Sequence, residues 1–405
     1  MDVKSVLARI KPSKEEALAV KRLANEVMKK IKVKGATVML GGSGAKDTYL
    51  KGTHDIDIYV KFDPKKYGAK SDALADILHA AIKKKFPRLI RLHGSRDYFQ
   101  VKQGSFTFEI VPILNITKAS QAKNITDFSH LHVKYVQKYK RLADEIRLAK
   151  AFAKAQGVYG AESYIRGFSG YVIELLVISY GSFKKVVRGV AKWGHVKVIG
   201  SKKDAKKLNE AKKQSPLILI DPVQPDRNAA AAISEEKYYD FVLACKAFQK
   251  SPSLSFFERK RFDKEKLKSL GKVILVEAMP LSGKKDVVGA KVVGVFERVK
   301  SALLEHHFCV LFAKCVFGEE DQKACFYFVL DPRELASEKK QFGPPKENEK
   351  AVEAFRKKHG SIMFNEHRAY AMVKRNYTSA STLVKDLAKT SYVQEKVKSV
   401  KVVVY

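Results

Sequence analysis

The sequence predicts an α+β protein of two or three domains. Three observations carry that prediction. A chain of 405 residues is longer than one typical core organises. Strictly alternating stretches, the pattern of strands, are interspersed with stretches whose apolar residues recur at helical spacing. After Ser251-Pro252-Ser253 the composition changes, which marks a boundary. A content of 45% hydrophobic and 30% charged residues belongs to a globular chain rather than a disordered one.

The formal charge of +35, from 78 Lys and Arg against 43 acidic residues, is extreme. Such a surface attracts polyanions, and nucleic acid is the first candidate. A Lys-rich composition with no polyanionic partner is the plainer alternative. A membrane is disfavoured, because no segment approaches the roughly 18 uninterrupted apolar residues of a spanning helix. The nearest, Gly170 to Tyr180, is shorter and contains Glu174. Met1-Asp2-Val3-Lys4 lacks the apolar run of a signal peptide. Cys245, Cys309, Cys315 and Cys325 have no Cys-x-x-Cys spacing and read as small buried hydrophobes in a reducing compartment, so a cytoplasmic protein without structural metal is expected.

Taken in order, Lys14 to Ile31 reads as an amphipathic helix with Ala17, Val20, Leu23, Ala24, Val27 and Met28 at helical spacing. Thr37–Leu40 is a short strand that delivers Gly42 and Ser43, whose amides and hydroxyl at a helix start suit a phosphate. In the next strand, Asp55 to Phe62, Ile56, Ile58, Val60 and Phe62 share one face, and Asp55, Asp57, Tyr59 and Lys61 the other. Two carboxylates side by side repel unless a cation lies between them, and oxygen ligands with substrate phosphates suit Mg²⁺. The spacing predicts a helix over Ala73–Lys85 and a strand over Ser105–Pro112, with Glu109 opposite Phe106, Phe108 and Ile110. If that strand lies beside the Asp55/Asp57 strand, Glu109 is a third ligand, and three carboxylates with two Mg²⁺ ions equip in-line phosphoryl transfer.

From Thr126 to Gly157 the pattern is helical, with a basic and aromatic cluster from His130 to Tyr139 and a helix over Arg141–Gln156 that Gly157 caps. Ser169–Tyr180, almost wholly apolar, is expected to be a buried spine. The basic stretch Arg188–Lys213 reads as a solvated insertion that can touch an RNA backbone. Leu217–Ile220 leads into a loop, Asp221 to Asn228, that carries Arg227. Beyond Ser253 come strand Lys272–Met279, helix Val288–Leu304, strand Phe308–Val316, a turn at Gly318-Glu319-Glu320-Asp321, strand Ala324–Leu330, helix Lys346–Lys358 and strand Arg368–Lys374. That order is ferredoxin-like. A short helix, Thr382–Thr390, and an extra strand, Lys401–Tyr405, close the chain.

With eleven residues between Ser43 and Asp55, the turn and the paired carboxylates match the signature of the polymerase-beta-like nucleotidyltransferases. Over most of its length the chain resembles the archaeal-type (class I) CCA-adding enzymes, tRNA nucleotidyltransferases. The resemblance is carried by Gly42-Ser43 with Asp55-Ile56-Asp57, Glu109-Ile110-Val111-Pro112, Val158-Tyr159-Gly160-Ala161-Glu162, Tyr180-Gly181-Ser182-Phe183 and Asp221-Pro222-Val223 with Arg227-Asn228. Most specific is Arg166-Gly167-Phe168-Ser169-Gly170-Tyr171.

This resemblance implies a nucleotidyltransferase head with a mixed sheet over residues 1–117, a largely helical nucleotide-selecting domain over 118–255, and a ferredoxin/RRM-like RNA-binding domain over 256–405. It implies Asp55, Asp57 and Glu109 as ligands of two Mg²⁺ ions, and Gly42, Ser43, Lys46, His132, Lys150 and Tyr159 around the triphosphate of CTP or ATP. Arg227 resembles the residue that reads the base edge, a task suited to a guanidinium fork. The implied reaction is template-independent addition of CCA to the tRNA 3′ end, by attack of the terminal hydroxyl on the α-phosphate with loss of pyrophosphate, in a cytoplasmic homodimer. A poly(A)- or oligoadenylate-type polymerase and an inactive RNA-binding relative are the alternatives. Three departures stand out: Glu109 replaces the usual Asp, Lys46 stands where Arg is common, and the chain is shorter at its C-terminus.

Overall fold

The computed structural model describes residues 3–259, 264–283, 285–317 and 323–405. The chain forms two compact units, Met1–Lys260 and Arg261–Tyr405. The turn expected over Gly318 to Asp321 lies outside the described residues.

The first unit opens with helices α1 (Val3–Ile10) and α2 (Lys14–Lys30). Ser13 starts α2 by accepting the Glu16 N–H at 3.1 Å, and Glu15, Glu16, Lys29 and Lys30 complement the helix dipole at its two ends. Then come β1 (Ala36–Leu40), α3 (Gly42–Lys46), β2 (Asp55–Phe62), α4 (Pro64–Tyr67), α5 (Leu74–Ile82), β3 (Ile90–Leu92), β4 (Tyr98–Gln103) and β5 (Phe106–Leu114). The strands form a mixed sheet in the order β1-β2-β5-β4-β3, parallel between β2 and β5 and antiparallel elsewhere. Ile56, Ile58, Val60 and Phe62 are buried with Val27 of α2 and Leu74 and Leu78 of α5. Each fully buried aliphatic side chain of this kind stabilises by about 1.5–3 kcal/mol. The opposite face of β2 is not simply solvated: Tyr59 is buried against Ile113 and Val133.

Helices α6 (Ser129–Gln137), α7 (Ala143–Ala155), α8 (Gly170–Tyr180) and α9 (Phe183–Val190), strand β6 (Lys197–Ile199), α10 (Lys202–Lys207), strand β7 (Leu217–Leu219) and α11 (Glu235–Lys250) complete this unit. Around Leu148, Phe152, Phe168, Leu176 and Phe241 they build a second core, separate from that of the sheet. Gly157, at φ +70°, follows α7 in the left-handed conformation expected of it. The basic stretch Arg188–Lys213, expected as a solvated insertion, contributes paired and partly buried elements of its own. Its β6 pairs in parallel with β7, and Val198, Ala205 and Leu208 form a small core with Ile218 and Ile220.

The second unit contains α12 (Lys264–Lys268), β8 (Lys272–Pro280), α13 (Lys285–Glu305), β9 (Val310–Phe317), β10 (Ala324–Leu330), β11 (Glu338–Pro345), α14 (Glu349–His359), β12 (Met363–Phe364), β13 (Arg368–Lys374), α15 (Ala380–Ala388), α16 (Ser391–Gln394) and β14 (Val397–Val404). Its main sheet is antiparallel in the order β14-β8-β10-β9, with α13 and α15 packed on it through Val292, Val295, Val299, Leu383 and Val384. The expected roles of two elements are corrected. Strand β13 does not join that sheet but pairs with β11 and β12 in a separate three-stranded one, and β14 occupies the fourth place in the main sheet. Helix α14 covers the small sheet, where Phe355 lies against Gly343.

Among the described residues no helix is long and apolar enough to cross a membrane. Of the four cysteines only Cys245 is buried; Cys309 is exposed, and Cys315 on the edge strand β9 and Cys325 on the interior strand β10 are half-buried. The expectation of four buried thiols therefore holds for one.

Candidate active site

The turn after β1 packs directly on β2. Gly41 N–H donates to the Asp57 carbonyl at 2.8 Å, and Gly42 N–H to the Tyr59 hydroxyl at 3.1 Å. A Cβ on Gly42 would lie 1.7 Å from Asp57 Oδ2, and one on Gly41 2.6 Å from the Tyr59 ring, so only glycine lets the turn approach this closely. Ser43 and Lys46 stand on the short helix α3 that follows.

Parallel pairing sets the carboxylates. Asp57 is directly across from Glu109, and Asp55 from Thr107. Burial and the neighbouring Glu109 carboxylate push Asp57 up to about 7, with Asp55 adding to the rise and Lys46 opposing it. Glu109 Oε1 accepts a hydrogen bond from Gln100 on β4 at 2.8 Å. Among the described residues no three His, Cys, Asp or Glu side chains stand together as a finished metal cage. What the chain supplies is a row of carboxylates in which burial, and then mutual repulsion, raise the proton affinity of the central member. That donor set fits a divalent cation.

Beside this row, Glu174 of α8 is completely buried. Its Oε1 accepts from Lys150 Nζ at 2.7 Å and from the Thr48 hydroxyl at 2.8 Å, and its Oε2 accepts from Lys46 Nζ at 2.7 Å. Burial alone would raise the Glu174 pKa, but the two ammonium groups hold it down at about 2. The Tyr159 hydroxyl and Lys150 Cε both border Gly170, where a Cβ would meet them at 2.8 and 3.7 Å. Lys154 Nζ lies 5.2 Å over the Tyr159 ring.

A second buried carboxylate organises the far side. Asp221 accepts from Tyr171 Oη at 3.0 Å, Arg227 Nη1 at 2.9 Å and the Val223 N–H at 2.9 Å, and it bonds His132 Nε2 at 3.1 Å. Burial works against its charge, yet His132, Val223 and Arg227 hold it below the usual carboxylate range. The His132 and Tyr171 rings stack at 4.1 Å, and Lys46 Nζ lies 5.7 Å over the Tyr171 ring. Arg227 is set by its loop: Asp221 N–H donates to the Arg227 carbonyl at 3.1 Å and Arg227 N–H to that of Gln224 at 2.9 Å.

The segment 166–171 explains itself in this setting. Phe168 bridges to Tyr159, Ser169 caps α8 by accepting the Val172 N–H at 3.1 Å, Gly170 makes room for the Tyr159 hydroxyl, and Tyr171 carries His132. A continuous set of contacts thus runs from the turn and the carboxylate row through Lys46, Lys150 and Tyr159 to His132 and Arg227. Glu174, Thr48, Tyr171 and Asp221 were given no site role from the sequence, although Tyr171 and Asp221 stand in motifs that carry the resemblance. The signal for Glu174 was visible, since it is the one charge in an otherwise apolar helix.

Three family models match: the nucleotidyltransferase domain over residues 20–132, the second domain of tRNA nucleotidyltransferase over 144–258, and the C-terminal domain of CCA-adding enzyme over 286–401. A CCA-adding enzyme of Saccharolobus islandicus (strain M.14.25) is 31% identical over 387 residues, 94% of this chain and 90% of that protein. The chain belongs to the CCA-adding enzyme family. Within this family, the enzyme of Methanosarcina barkeri is 35% identical over 62% of this chain, a match that spans 57% of that protein. In fold this family member also resembles a crystal structure of the Cid1 poly(U) polymerase, with a TM-score of 0.51 at 16% identity over 64% of this chain and 98% of that one.

Proposed function

We propose that the carboxylate row, the Gly41-Gly42 turn and the two carboxylate-anchored clusters form one nucleotide site that serves addition of CCA to the 3′ end of tRNA. The chain is a tRNA nucleotidyltransferase that uses CTP and ATP. The observation that carries the site assignment is the β2–β5 register, which sets Glu109 across from Asp57 beneath the glycine turn. In this reading Asp55, Asp57 and Glu109 hold Mg²⁺, two ions as in general two-metal transfer, which when bound activates the tRNA 3′-hydroxyl and neutralises the triphosphate. Ser43 and the Gly42 turn cradle phosphate oxygens, and Lys46, Lys150, His132 and Tyr159 orient the triphosphate so that its α-phosphorus faces the incoming hydroxyl. Arg227, held by Asp221, reads the Watson–Crick edge of the base. Glu109 is one methylene longer than the usual Asp and would hold the metal with Asp55 and Asp57 while Gln100 donates to its Oε1.

We place the head over 1–117, the selecting domain over 118–255 and an RNA-holding domain over 256–405, in a cytoplasmic protein that pairs as a homodimer. Two separate cores within the first unit support its division into a sheet-based and a helical part, with Val6 of α1 packing in the helical core and Phe128 in that of the sheet. For the last domain, the sheet order β14-β8-β10-β9 supports a ferredoxin-like reading in which α15 and β14 are the second helix and fourth strand, and β11–β13 an insertion. Exposed Phe342, Met363 and Met372 mark a face of the small sheet, with Lys340 Nζ 5.0 Å over Tyr370. Interleaved aromatic and basic side chains of this kind suit RNA stacking and phosphate contact.

The test is nucleotide incorporation into a tRNA transcript lacking its last three residues. Asp57→Ala is expected to abolish incorporation and leave tRNA affinity within a few-fold, and Arg227→Ala to blur the choice between CTP and ATP. Near-normal turnover in Asp57→Ala, or unchanged selectivity in Arg227→Ala, contradicts the respective role.

A further inference from the structure

We propose that Glu174 is a positioning residue of the nucleotide site: its two carboxylate oxygens hold Lys46 and Lys150 side by side as a cation pair for the triphosphate that CTP and ATP share. The inference rests on the reading above, in which those lysines bind the triphosphate.

Geometry distinguishes this role from simple charge burial. Glu174 sits on α8 among Val172, Ile173, Leu175, Leu176 and Val177, all buried, and it is itself 0% exposed. A partner for one buried lysine would satisfy it. Instead it takes two, one from α7 and one from α3, the helix that begins at the glycine turn. Lys150 spends its three N–H groups on Glu174 Oε1 (2.7 Å), the Thr48 hydroxyl (3.0 Å) and the Thr48 carbonyl (3.3 Å), so it acts on a triphosphate through its positive charge and not through a hydrogen bond. Lys46 spends one on Glu174 Oε2 and keeps two donors for a ligand. Thr48 ties the assembly together by donating to Glu174 as well. One carboxylate therefore aligns both ammonium groups and pins the phosphate turn to α8. Because its hydrogen bonds go to Lys46, Lys150 and Thr48 and not to Arg227, it acts on what CTP and ATP have in common.

The charge balance gives a second readout. Burial lowers the proton affinity of Lys150, and Glu174 opposes that shift. The other groups facing Lys150 are Lys46 on α3 and Lys154 on its own helix, both of which press it toward the neutral form, and the Tyr159 hydroxyl across Gly170. Without Glu174, Lys150 loses its proton more readily, and lowering the pH restores it.

The test compares KM and kcat for CTP and ATP in full-length wild type, Glu174→Gln, Lys46→Ala, Lys150→Met and the double variant Glu174→Gln/Lys150→Met, with thermal unfolding as a check of the fold. Glu174→Gln is expected to raise both KM values by the same factor, ~10- to 100-fold, with kcat changed only a few-fold. Its KM relative to wild type should fall as the pH is lowered. The double variant removes the buried lysine together with its partner, which spares the fold, and its KM should exceed that of Lys150→Met because Lys46 has lost its anchor. Unchanged KM with lowered kcat in Glu174→Gln, or equal KM in the double variant and Lys150→Met, reduces Glu174 to a structural group and overturns the inference. If Lys46→Ala also leaves KM unchanged, the triphosphate reading falls with it; if Lys46→Ala raises KM while Glu174→Gln does not, only the inference falls.

Discussion

A methyl group on Gly42 would overlap the Asp57 carboxylate at 1.7 Å, and Gly42 already sits at φ +50°. Either the turn or the carboxylate must move, and a misplacement of about 1 Å near reacting groups costs on the order of 100-fold in rate. Gly42→Ala is therefore expected to lower incorporation by ~100-fold or more while the protein stays folded, as circular dichroism would check; near-wild-type turnover would mean that the turn does not lie over the reaction. At this scale the sequence was legible where chemistry follows from spacing along one strand. Asp55 and Asp57 share a face because period two requires it. Glu174 and Asp221 were not legible as anchors, because some partners of each lie far off in sequence: Lys46 and Thr48 for the one, His132 and Tyr171 for the other. A lone glutamate inside an apolar helix signals a buried charge with a partner, but nothing local says which.

Among elements, β2 and β5 show what pairing adds to pattern. Each strand's alternation was readable, but that Glu109 lies across from Asp57 is a fact of register between segments some fifty residues apart. The second unit shows the reverse. Its strands and helices were largely placed, but β11 was missed because a Lys-rich run ending in Gly-Pro-Pro does not read as a strand. Without β11, Arg368–Lys374 was assigned to the main sheet, where β14 in fact pairs with β8. Helix α11 was passed over although Tyr238, Phe241, Val242, Cys245 and Phe248 recur at helical spacing and are all buried. The corrected small sheet makes its own prediction. Phe342→Ala or Tyr370→Ala should weaken tRNA binding by ~5- to 100-fold through lost stacking. Lys340→Ala should reduce the slope of log affinity against log salt by about one. Unaltered tRNA affinity in all three would remove this face from the RNA contact.

For the whole molecule, a net charge of +35 is distributed over a chain whose proposed metal-binding carboxylate row is acidic and whose proposed nucleotide cradle is basic. The composition pointed to a polyanion, and membership of the CCA-adding enzyme family agrees with that choice of substrate. The account's central claim is that one site, built from the carboxylate row, the Glu174-anchored lysines and the Asp221-anchored Arg227, adds a short defined terminus rather than a tail. The most direct measurement is the product formed by the full-length protein from CTP, ATP and Mg²⁺ on a single tRNA transcript lacking its last three nucleotides, resolved one nucleotide at a time. Growth by two C and one A, followed by arrest, is the predicted result. An open-ended A ladder, or no growth with tRNA still tightly bound, would contradict it.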